Sequence, residues 1–306
     1  MKPLVSIVCV TYNHEPYLRQ ALDGFLMQKV NFPLEIILAE DCSTDATRKI
    51  CEDYVAKYPD IIHYIWSENN VGGVENEARA IRAAEGKYIA LCEGDDYWTD
   101  PYKLQKQVNF LEAHPEYSVT FHRYKIHYVD TDIWQSDNAG WLFDDKRMEG
   151  KDITVEQTLD KWITQYLTAI FRRDCYDFKW ADQYQWYRDS HMFYHLMTCG
   201  KAYLFAFDGG VYRKTGGGIY SNMNEYNIQK HTIAVYQEMW EKNNDERLKA
   251  PYVKAMQYFV DSFCEEKGLR KELLRTSWGI FVLTHGCKKL IKNIERIILC
   301  INLLRK

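Results

Sequence analysis

The sequence predicts a mostly parallel β-sheet flanked by helices, followed by a helical C-terminal extension. Two observations carry this prediction. Within the first 130 residues, short apolar runs alternate with amphipathic stretches, and each apolar run ends in a polar turn. This alternation is typical of a parallel sheet covered by helices on both faces. Beyond residue 225 the apolar residues recur at helical spacing without further strand patterns. We therefore predict one domain over residues 1–222 and a helical extension over residues 223–306.

The first four strands are predicted from apolar runs rich in β-branched and aliphatic residues, as in strands buried on both faces. They cover residues 4–11, 34–39, 61–66 and 88–92. The helices between them are predicted from Pro16 onward, from a Ser–Asp cap at residues 43–45 toward Tyr58, and from about Val74 to Ala84. Later elements are an apolar run over residues 166–171, a helix starting near residues 186–191 and ending at Thr198, a strand over residues 202–207, and a basic glycine-rich loop over residues 211–218.

The acidic turn after the fourth strand is the most informative segment. Glu93, Asp95 and Asp96 stand within four residues, directly after the apolar run. Like charges this close disfavour joint ionisation, so such a cluster persists most readily around a cation. Carboxylate oxygens suit Mg²⁺ or Mn²⁺, which keep open positions for substrate phosphates. The turn therefore predicts a metal-bridged phosphate site. The alternative is a solvated turn whose Asp residues cap the next helix.

The polar turns should line one cleft, because ligands of parallel α/β sheets bind beyond the carboxyl ends of the strands. That edge would gather residues 11–15, Asp41, residues 70–73 and residues 93–96.

Charge and cysteine content narrow the class of protein. A formal net charge of −4 argues against a general nucleic-acid binder. Nine cysteines without C-x-x-C spacing predict buried free thiols in a reducing compartment. We see no signal-peptide pattern and no apolar stretch of about 18 residues, so we expect a cytoplasmic protein. The basic amphipathic segment 288–306 predicts either contact with the inner face of a membrane or packing on its own domain or on a second copy.

Four motifs in order resemble the family 2 glycosyltransferases, which have a GT-A fold. They are Val5–Asn13 with its Thr-Tyr-Asn turn, Glu40–Asp45, Gly86–Ala90 leading into the acidic turn, and Val211–Arg213 with the glycines at 216–218. The resemblance spans residues 4–220. The sequence departs from the family pattern at three places. Glu93 replaces the first Asp of the metal motif, Arg188-Asp189 replaces an acidic pair, and residues 76–79 differ enough that Arg79 receives no role.

The resemblance implies transfer of a sugar, with inversion, from a nucleoside diphosphate sugar to a hydroxyl. UDP is the expected nucleotide, Mn²⁺ or Mg²⁺ the cofactor, and a glycan or lipid-linked glycan of bacterial surface polysaccharide synthesis the acceptor. It implies Asp95 as metal ligand, Asp189 as general base, and a donor site formed by Thr11, Tyr12, Asn13, Glu15, Asp41, Glu93, Asp96, Arg213 and Lys214. Within that set, Asp41 would contact the nucleobase, and Arg213 and Lys214 would close over the diphosphate.

Structural alternatives remain open for several of these residues. Asp41 and Asp189 suit helix caps, and the Arg213 loop could be plain surface. A helix start would also lower the pKa of Asp189 and weaken it as a base unless burial or other carboxylates offset the effect. His191 and Trp98 suit core packing as well as ligand contact, as does Trp186.

Two other functions compete with sugar transfer. A non-catalytic nucleotide-sugar-binding or scaffold protein would keep the fold without the chemistry. A sugar nucleotidyltransferase would need a basic, glycine-rich loop after the first strand, where this chain has residues 12–16, Tyr-Asn-His-Glu-Pro.

Overall fold

The computed structural model describes residues 2–143, 145, 147–216, 223–263 and 269–284. They form two compact units. The first contains residues 2–183 and 187–216, and the second contains residues 184–186 and the described residues after 222. Segment 288–306, and with it the predicted membrane or homodimer contact, lies outside the described residues. Within the described ones, no helix is long and apolar enough to cross a membrane.

The first unit is built on a mixed sheet of ten strands. In chain order they are β1 (Val5–Thr11), β2 (Leu34–Glu40), β3 (Ile62–Trp66), β4 (Tyr88–Leu91), β5 (Tyr97–Trp98), β6 (Tyr117–Tyr128), β7 (Ile133–Ser136), β8 (Gly150–Ile153), β9 (Ile170–Arg172) and β10 (Lys201–Lys214). The main path runs β3-β2-β1-β4-β9-β6-β10-β5. The first four strands are parallel, whereas β9 is antiparallel to both of its neighbours. The carboxyl ends of β1 to β4 therefore share one edge.

Helices of this unit follow the predicted alternation. They are α1 (Leu18–Leu26), α2 (Thr47–Lys57), α3 (Gly73–Ala83), α4 (Lys103–Ala113), α5 (Val155–Lys161), α6 (Phe178–Ala181) and α7 (Asp189–Cys199). The apolar face predicted for α1 is real, since Leu18, Ala21 and Leu22 are fully buried. They pack with side chains of β1 and β2 in one hydrophobic cluster. The predicted α/β fold class is confirmed.

The second unit is helical. Its helices are α8 (Glu225–Asn243), α9 (Lys249–Phe263) and α10 (Arg270–Thr284). Met256, Phe259 and Leu273 are at the centre of its apolar cluster.

Strand β10 corrects one prediction. The sequence predicts a strand over residues 202–207 and a glycine-rich loop over residues 211–218, but β10 runs from Lys201 to Lys214, includes the first four residues of that loop and pairs in parallel with β6. Register shifts between Phe205 and Gly210 disguise its continuity. A Cβ at Gly210 would lie 2.5 Å from a Leu167 methyl carbon and 2.8 Å from the Tyr97 carbonyl oxygen. Gly210 therefore marks a close backbone approach inside the strand.

The cysteines also differ from the prediction. Of the six that the structure describes, all are free, and Cys9, Cys51 and Cys92 are buried as expected. Cys199, however, is exposed at the end of α7.

Candidate active site

The turns after β1 and β2 are joined by hydrogen bonds. The Asn13 backbone N–H donates to Ser43 Oγ (3.0 Å), and the Thr44 N–H donates to Asn13 Oδ1 (2.8 Å). The Ala46 N–H donates to Glu15 Oε2 (3.0 Å) at the start of α2. Asn13 has a φ of 54°, which Asn tolerates better than most residues. Two predicted donor-site side chains, Asn13 and Glu15, thus brace the edge of the sheet.

Asp41 holds the turn after β3. Its Oδ1 accepts the Val71 N–H (2.8 Å), its Oδ2 accepts the Gly72 N–H (2.9 Å), and its carboxylate is buried. Asp41 therefore does not cap α2, the alternative raised by the sequence; the side chain of Asp45 accepts the Thr47 N–H there instead. Any contact between Asp41 and a nucleobase would use the remaining lone pairs of these oxygens.

Arg79 has a structural role. Its Nη2 donates to the Glu40 carbonyl (2.6 Å), its Nη1 to the Trp66 carbonyl (3.2 Å), and its Nε to Asn76 Oδ1 (2.8 Å). The residue that sequence comparison left without a role therefore ties α3 to the ends of β2 and β3.

The acidic turn lies directly against the turn after β1. A Cβ at Gly94 would lie 2.7 Å from Thr11 Oγ1 and 2.9 Å from His14 Nδ1. His14 Nε2 also lies 3.8 Å from Asp95 Oδ2. Thr11 is buried, and its hydroxyl has no hydrogen-bond partner within the described residues; Tyr12 is exposed. The turn after β1, which contains predicted donor-site residues, is therefore in contact with the acidic turn.

This close approach predicts that Gly94→Ala destabilises the fold. The new methyl group would have to displace Thr11 and His14, so we expect about 1–3 kcal/mol lower free energy of unfolding. Gly73→Ala is the matched control, because a Cβ there meets nothing within 4 Å at the start of α3; we expect it to be neutral or slightly stabilising. Urea denaturation of both variants measures the difference, and equal midpoints would contradict the packing argument.

Arg213 forms hydrogen bonds to the acidic turn. Its backbone N–H donates to Asp96 Oδ1 (2.8 Å), and its Nη1 donates to the Asp95 carbonyl (2.6 Å). Its Nη2 donates to Gln20 Oε1, and the guanidinium carbon lies 4.2 Å from the centre of the Tyr97 ring. Only 6% of Arg213 is exposed. Arg213 is therefore not part of a surface loop, and its hydrogen bonds hold the backbone on which Asp95 stands.

Lys214 and Trp98 lie in different surroundings. Lys214 is exposed, and its Nζ lies 4.8 Å from the centre of the Tyr128 ring. Trp98 is 1% exposed, and its Nε1 donates to the Leu167 carbonyl (2.8 Å). Trp98 is therefore a core residue and does not offer a face for stacking on a sugar.

Two carboxyl groups of the acidic turn, Glu93 and Asp96, have raised pKa values. Burial raises the pKa of Glu93 well above its usual value, and the charges of Asp95 and Asp189 add to the effect. Burial and Asp95 also raise the pKa of Asp96, against the lowering effect of the Arg213 N–H. Asp96 Oδ2 is buried and accepts no hydrogen bond from the part of the chain described.

Asp189 is the first residue of α7, and its negative charge raises the pKa of Glu93 and Asp96 in the acidic turn. Burial raises its pKa, although its own backbone N–H and Arg188 act in the opposite direction. Burial therefore offsets the lowering of the Asp189 pKa that a helix start causes. The capping side chain at this helix is His191, whose Nδ1 accepts the Arg188 N–H (3.1 Å).

Glu77 is a carboxyl group that sequence reasoning missed. It lies on α3, and burial, followed by the charge of Asp189, raises its pKa to about 8, against the Tyr166 hydroxyl. It also raises the pKa of Glu93. Acidic residues are common near helix starts, so this position does not by itself indicate a functional residue. The available clue was that α3 begins at the carboxyl edge of the sheet, where ligands bind.

The raised pKa of Glu77 predicts a pH-dependent cost to stability. Between the usual Glu pKa, near 4.5, and about 8, the folded state keeps a proton that the unfolded state releases. The free energy of unfolding therefore falls as pH rises through this window, by at most about 1.4 kcal/mol per pH unit from this group.

We expect Glu77→Gln to remove that decline. In urea denaturation between pH 5 and 8, the free energy of unfolding of the variant should increase relative to that of the unaltered protein as pH rises. Glu75→Gln, an exposed position on the same helix, should leave the pH dependence unchanged. Parallel curves for the Glu77 variant and the unaltered protein would contradict the assignment.

Comparison with known proteins decides the family. A family model described as glycosyl transferase family 2 matches residues 6–177, more than half of the chain. The match contains the turns after β1 to β4 and the whole acidic turn.

The chain belongs to glycosyl transferase family 2.

Two bacterial proteins illustrate the similarity to curated sequences. An uncharacterised protein of Mycobacterium tuberculosis is 51% identical over 170 residues, covering 55% of this chain and 47% of that protein. A putative teichuronic acid biosynthesis glycosyltransferase of Bacillus subtilis, TuaG, is 36% identical over 110 residues, covering 36% of this chain and 42% of that protein. The chain therefore spans about half the length of the curated relatives it matches.

Solved structures confirm the GT-A type of fold predicted with the family. Residues 1–349 of S. aureus TarS in complex with UDP-GlcNAc match with a TM-score of 0.67 at 19% identity, covering 98% of this chain and 89% of that one. The mannosyltransferase PcManGT from Pyrobaculum calidifontis, in complex with GDP-Man and Mn²⁺, matches with a TM-score of 0.52 at 15% identity, covering 98% and 86%.

The residues present fit a divalent cation only if the substrate completes its coordination. No group of three or more His, Cys, Asp or Glu residues among those the structure describes is arranged to hold a metal ion by itself. Mg²⁺ and Mn²⁺ sites of phosphate-transferring enzymes often use one or two carboxylates plus substrate phosphates. The part-exposed Asp95 and the unpartnered Asp96 Oδ2 suit that pattern in a family 2 member.

Proposed function

We propose that the protein transfers a sugar from a nucleoside diphosphate sugar, with UDP the first choice, to a hydroxyl group of a glycan or lipid-linked glycan, with inversion. The observation that carries the proposal is the acidic turn, which is hydrogen-bonded by Arg213 and lies within electrostatic reach of the partly buried carboxyl group of Asp189. Bound nucleotide sugars in two fold neighbours support the substrate class.

The donor would lie along the edge formed by the turns after β1 to β4. Asp41 and Thr11, whose side chains are buried, would contact the nucleoside, and Glu93 and Asp96 would bind the ribose or metal-bound water. Asp95 would hold Mn²⁺ or Mg²⁺ together with the diphosphate. When bound, the cation neutralises the negative charge of the leaving diphosphate. Arg213 contributes by keeping the Asp95 backbone in place.

Asp189 would accept the proton of the acceptor hydroxyl. Inversion requires the acceptor oxygen to attack the anomeric carbon from the face opposite the leaving diphosphate, with the base on the acceptor side. Burial raises the pKa of Asp189 and so makes its carboxylate a stronger base. A protonated Glu77 limits the accumulation of negative charge beside it.

The biological role we propose is bacterial cell-surface polysaccharide synthesis. The name of the B. subtilis relative TuaG supports this role by analogy. A non-catalytic binding protein with this fold remains the main alternative, because the usual acidic pair before α7 is Arg188-Asp189 here.

The test is turnover of nucleotide sugars by the purified full chain. The protein would be incubated with UDP- and GDP-linked sugars and Mn²⁺, with release of nucleoside diphosphate as the readout and thermal shift as an independent measure of binding. Metal-dependent release supports the enzyme, and binding without release supports the non-catalytic alternative. Neither binding nor release with any donor would contradict the proposal.

A further inference from the structure

Two cysteines outside the candidate active site lie against each other. Cys175 ends a short 3₁₀ turn formed by Arg173–Cys175, and Cys199 is the last residue of α7. The Cys199 thiol donates a hydrogen bond to the Cys175 carbonyl oxygen, 3.7 Å from its Sγ, and the interaction between the two thiols shifts both of their pKa values. Both are free, Cys199 being exposed and Cys175 partly buried.

The contact between the two segments is built from more than the thiols. His195 stands one helical turn before Cys199 on the same face of α7. Its ring stacks on Trp180, with centroids 4.2 Å apart. Cys199 and His195 of α7 thus contact the segment that contains Cys175 and Trp180, so the fold keeps the two cysteines close together.

The surroundings of the two thiols shift their pKa values in opposite directions. Hydrogen bonds from Cys175 and Thr198 lower the pKa of Cys199 to about 7, against burial and the charges of Asp174 and Asp177. The pKa of Cys175 is raised, by its hydrogen bond to Cys199 and by burial, against Arg172. At neutral pH the exposed thiol is the one that carries thiolate, and the partly buried thiol keeps its proton.

We propose that Cys175 and Cys199 form a thiol–disulfide exchange site for small-molecule disulfides. The Cys199 thiolate attacks a disulfide R–S–S–R, breaks its S–S bond, and releases one R–S⁻. Cys175 then gives up its proton to solvent and attacks Cys199 Sγ in the mixed disulfide, which releases the second R–S⁻. Two protein thiols are oxidised, and one small-molecule disulfide is reduced to two thiols.

Proximity of the second thiol matters more than the reactivity of the first. A pKa near 7 gives Cys199 roughly 15-fold more thiolate at pH 7 than an ordinary cysteine with a pKa near 8.5. A less basic thiolate is also a weaker nucleophile, which lowers its rate of attack by about 5-fold. The net gain in the first step is about 3-fold, whereas the second step is intramolecular because Cys199 is already in contact with residue 175.

The site lies at the far end of the helix that begins with Asp189. A disulfide there would join the 173–175 turn covalently to α7. Neither cysteine belongs to the proposed donor or acceptor site, so the test below does not depend on sugar transfer.

The test treats the full chain with oxidised glutathione, followed by alkylation of remaining thiols and peptide mapping by mass spectrometry. The unaltered protein should yield a Cys175–Cys199 disulfide and little mixed disulfide. Cys175→Ser should accumulate one glutathione on Cys199, and Cys199→Ser should leave Cys175 mostly alkylated. The initial rate should rise with an inflection near pH 7.

Cys42→Ser, at a partly buried cysteine elsewhere in the unit, is the control and should form the disulfide normally. The proposal is overturned if glutathione stays on Cys199 in the unaltered protein, if Cys199 pairs with a cysteine other than Cys175, or if Cys175 reacts first. Circular dichroism of each variant establishes that it is folded.

Discussion

Asp189→Asn should lower kcat for sugar transfer by about 10²–10⁴-fold, the usual contribution of a general base. Asn has the same shape and cannot accept the proton of an acceptor hydroxyl. The change removes one negative charge from a site where Asp189 raises the pKa of both Glu77 and Glu93, so donor binding should be kept or slightly tightened. Steady-state kinetics with a saturating donor would show the loss in kcat with little change in the donor KM.

The pH profile separates a base from a merely structural residue. With Asp189 as base, activity of the unaltered protein falls as pH drops through its raised pKa, because the protonated carboxyl cannot accept a proton. The variant should lack that limb. Asp182→Asn, an exposed position at the end of α6, is the charge-matched control and should retain activity. Loss of less than about 10-fold in the Asp189 variant would remove Asp189 from the mechanism.

Local pattern was sufficient to predict the first four strands and their turns. Residues 4–91 alternate apolar runs with amphipathic stretches, and parallel order then places the turns at one edge. The Asp41, Thr11 and Asp95 turns meet there as expected. The same reasoning could not reveal what these side chains contact: Asp41 and Glu15 accept backbone N–H groups of neighbouring turns, which depends on loop conformation and not on residue type.

Non-local packing accounts for the rest. Arg213 resembles a surface residue in sequence, yet β10 continues through two glycines and carries it under the acidic turn. Glu77 and Asp189 stand on different helices far apart in the chain, and only the folded sheet brings their charges into range. Cys175 and Cys199 likewise read as scattered thiols, and the packing of α7 makes them a pair.

Asp95→Asn should abolish metal-dependent donor binding and yet stabilise the protein without ligand. The Asp95 carboxylate raises the pKa of Glu93 and Asp96 through like-charge repulsion. Replacing it with a neutral side chain of the same shape removes that repulsion. We expect the free energy of unfolding in the absence of metal to rise by about 1 kcal/mol, within the range of single polar substitutions.

Binding should change in the opposite direction. If Asp95 holds the cation together with the diphosphate, then UDP and Mn²⁺ together should stabilise the unaltered protein by about 2.7 kcal/mol at a concentration 100 times the dissociation constant. Thermal shift should show little of that gain in Asp95→Asn, and turnover should be lost, because the cation supplies several kcal/mol of charge stabilisation.

Asp60→Asn carries the same charge change at an exposed position between α2 and β3, away from the carboxyl edge. It should keep both the metal-dependent thermal shift and turnover. A variant of Asp95 that still gains stability from UDP and Mn²⁺ would place the metal elsewhere, whereas a variant less stable than the unaltered protein without ligand would mean that Asp95 is held by favourable contacts and not strained by its neighbours. Higher stability together with lost turnover is the combination expected when a carboxylate is kept for chemistry at the expense of the fold.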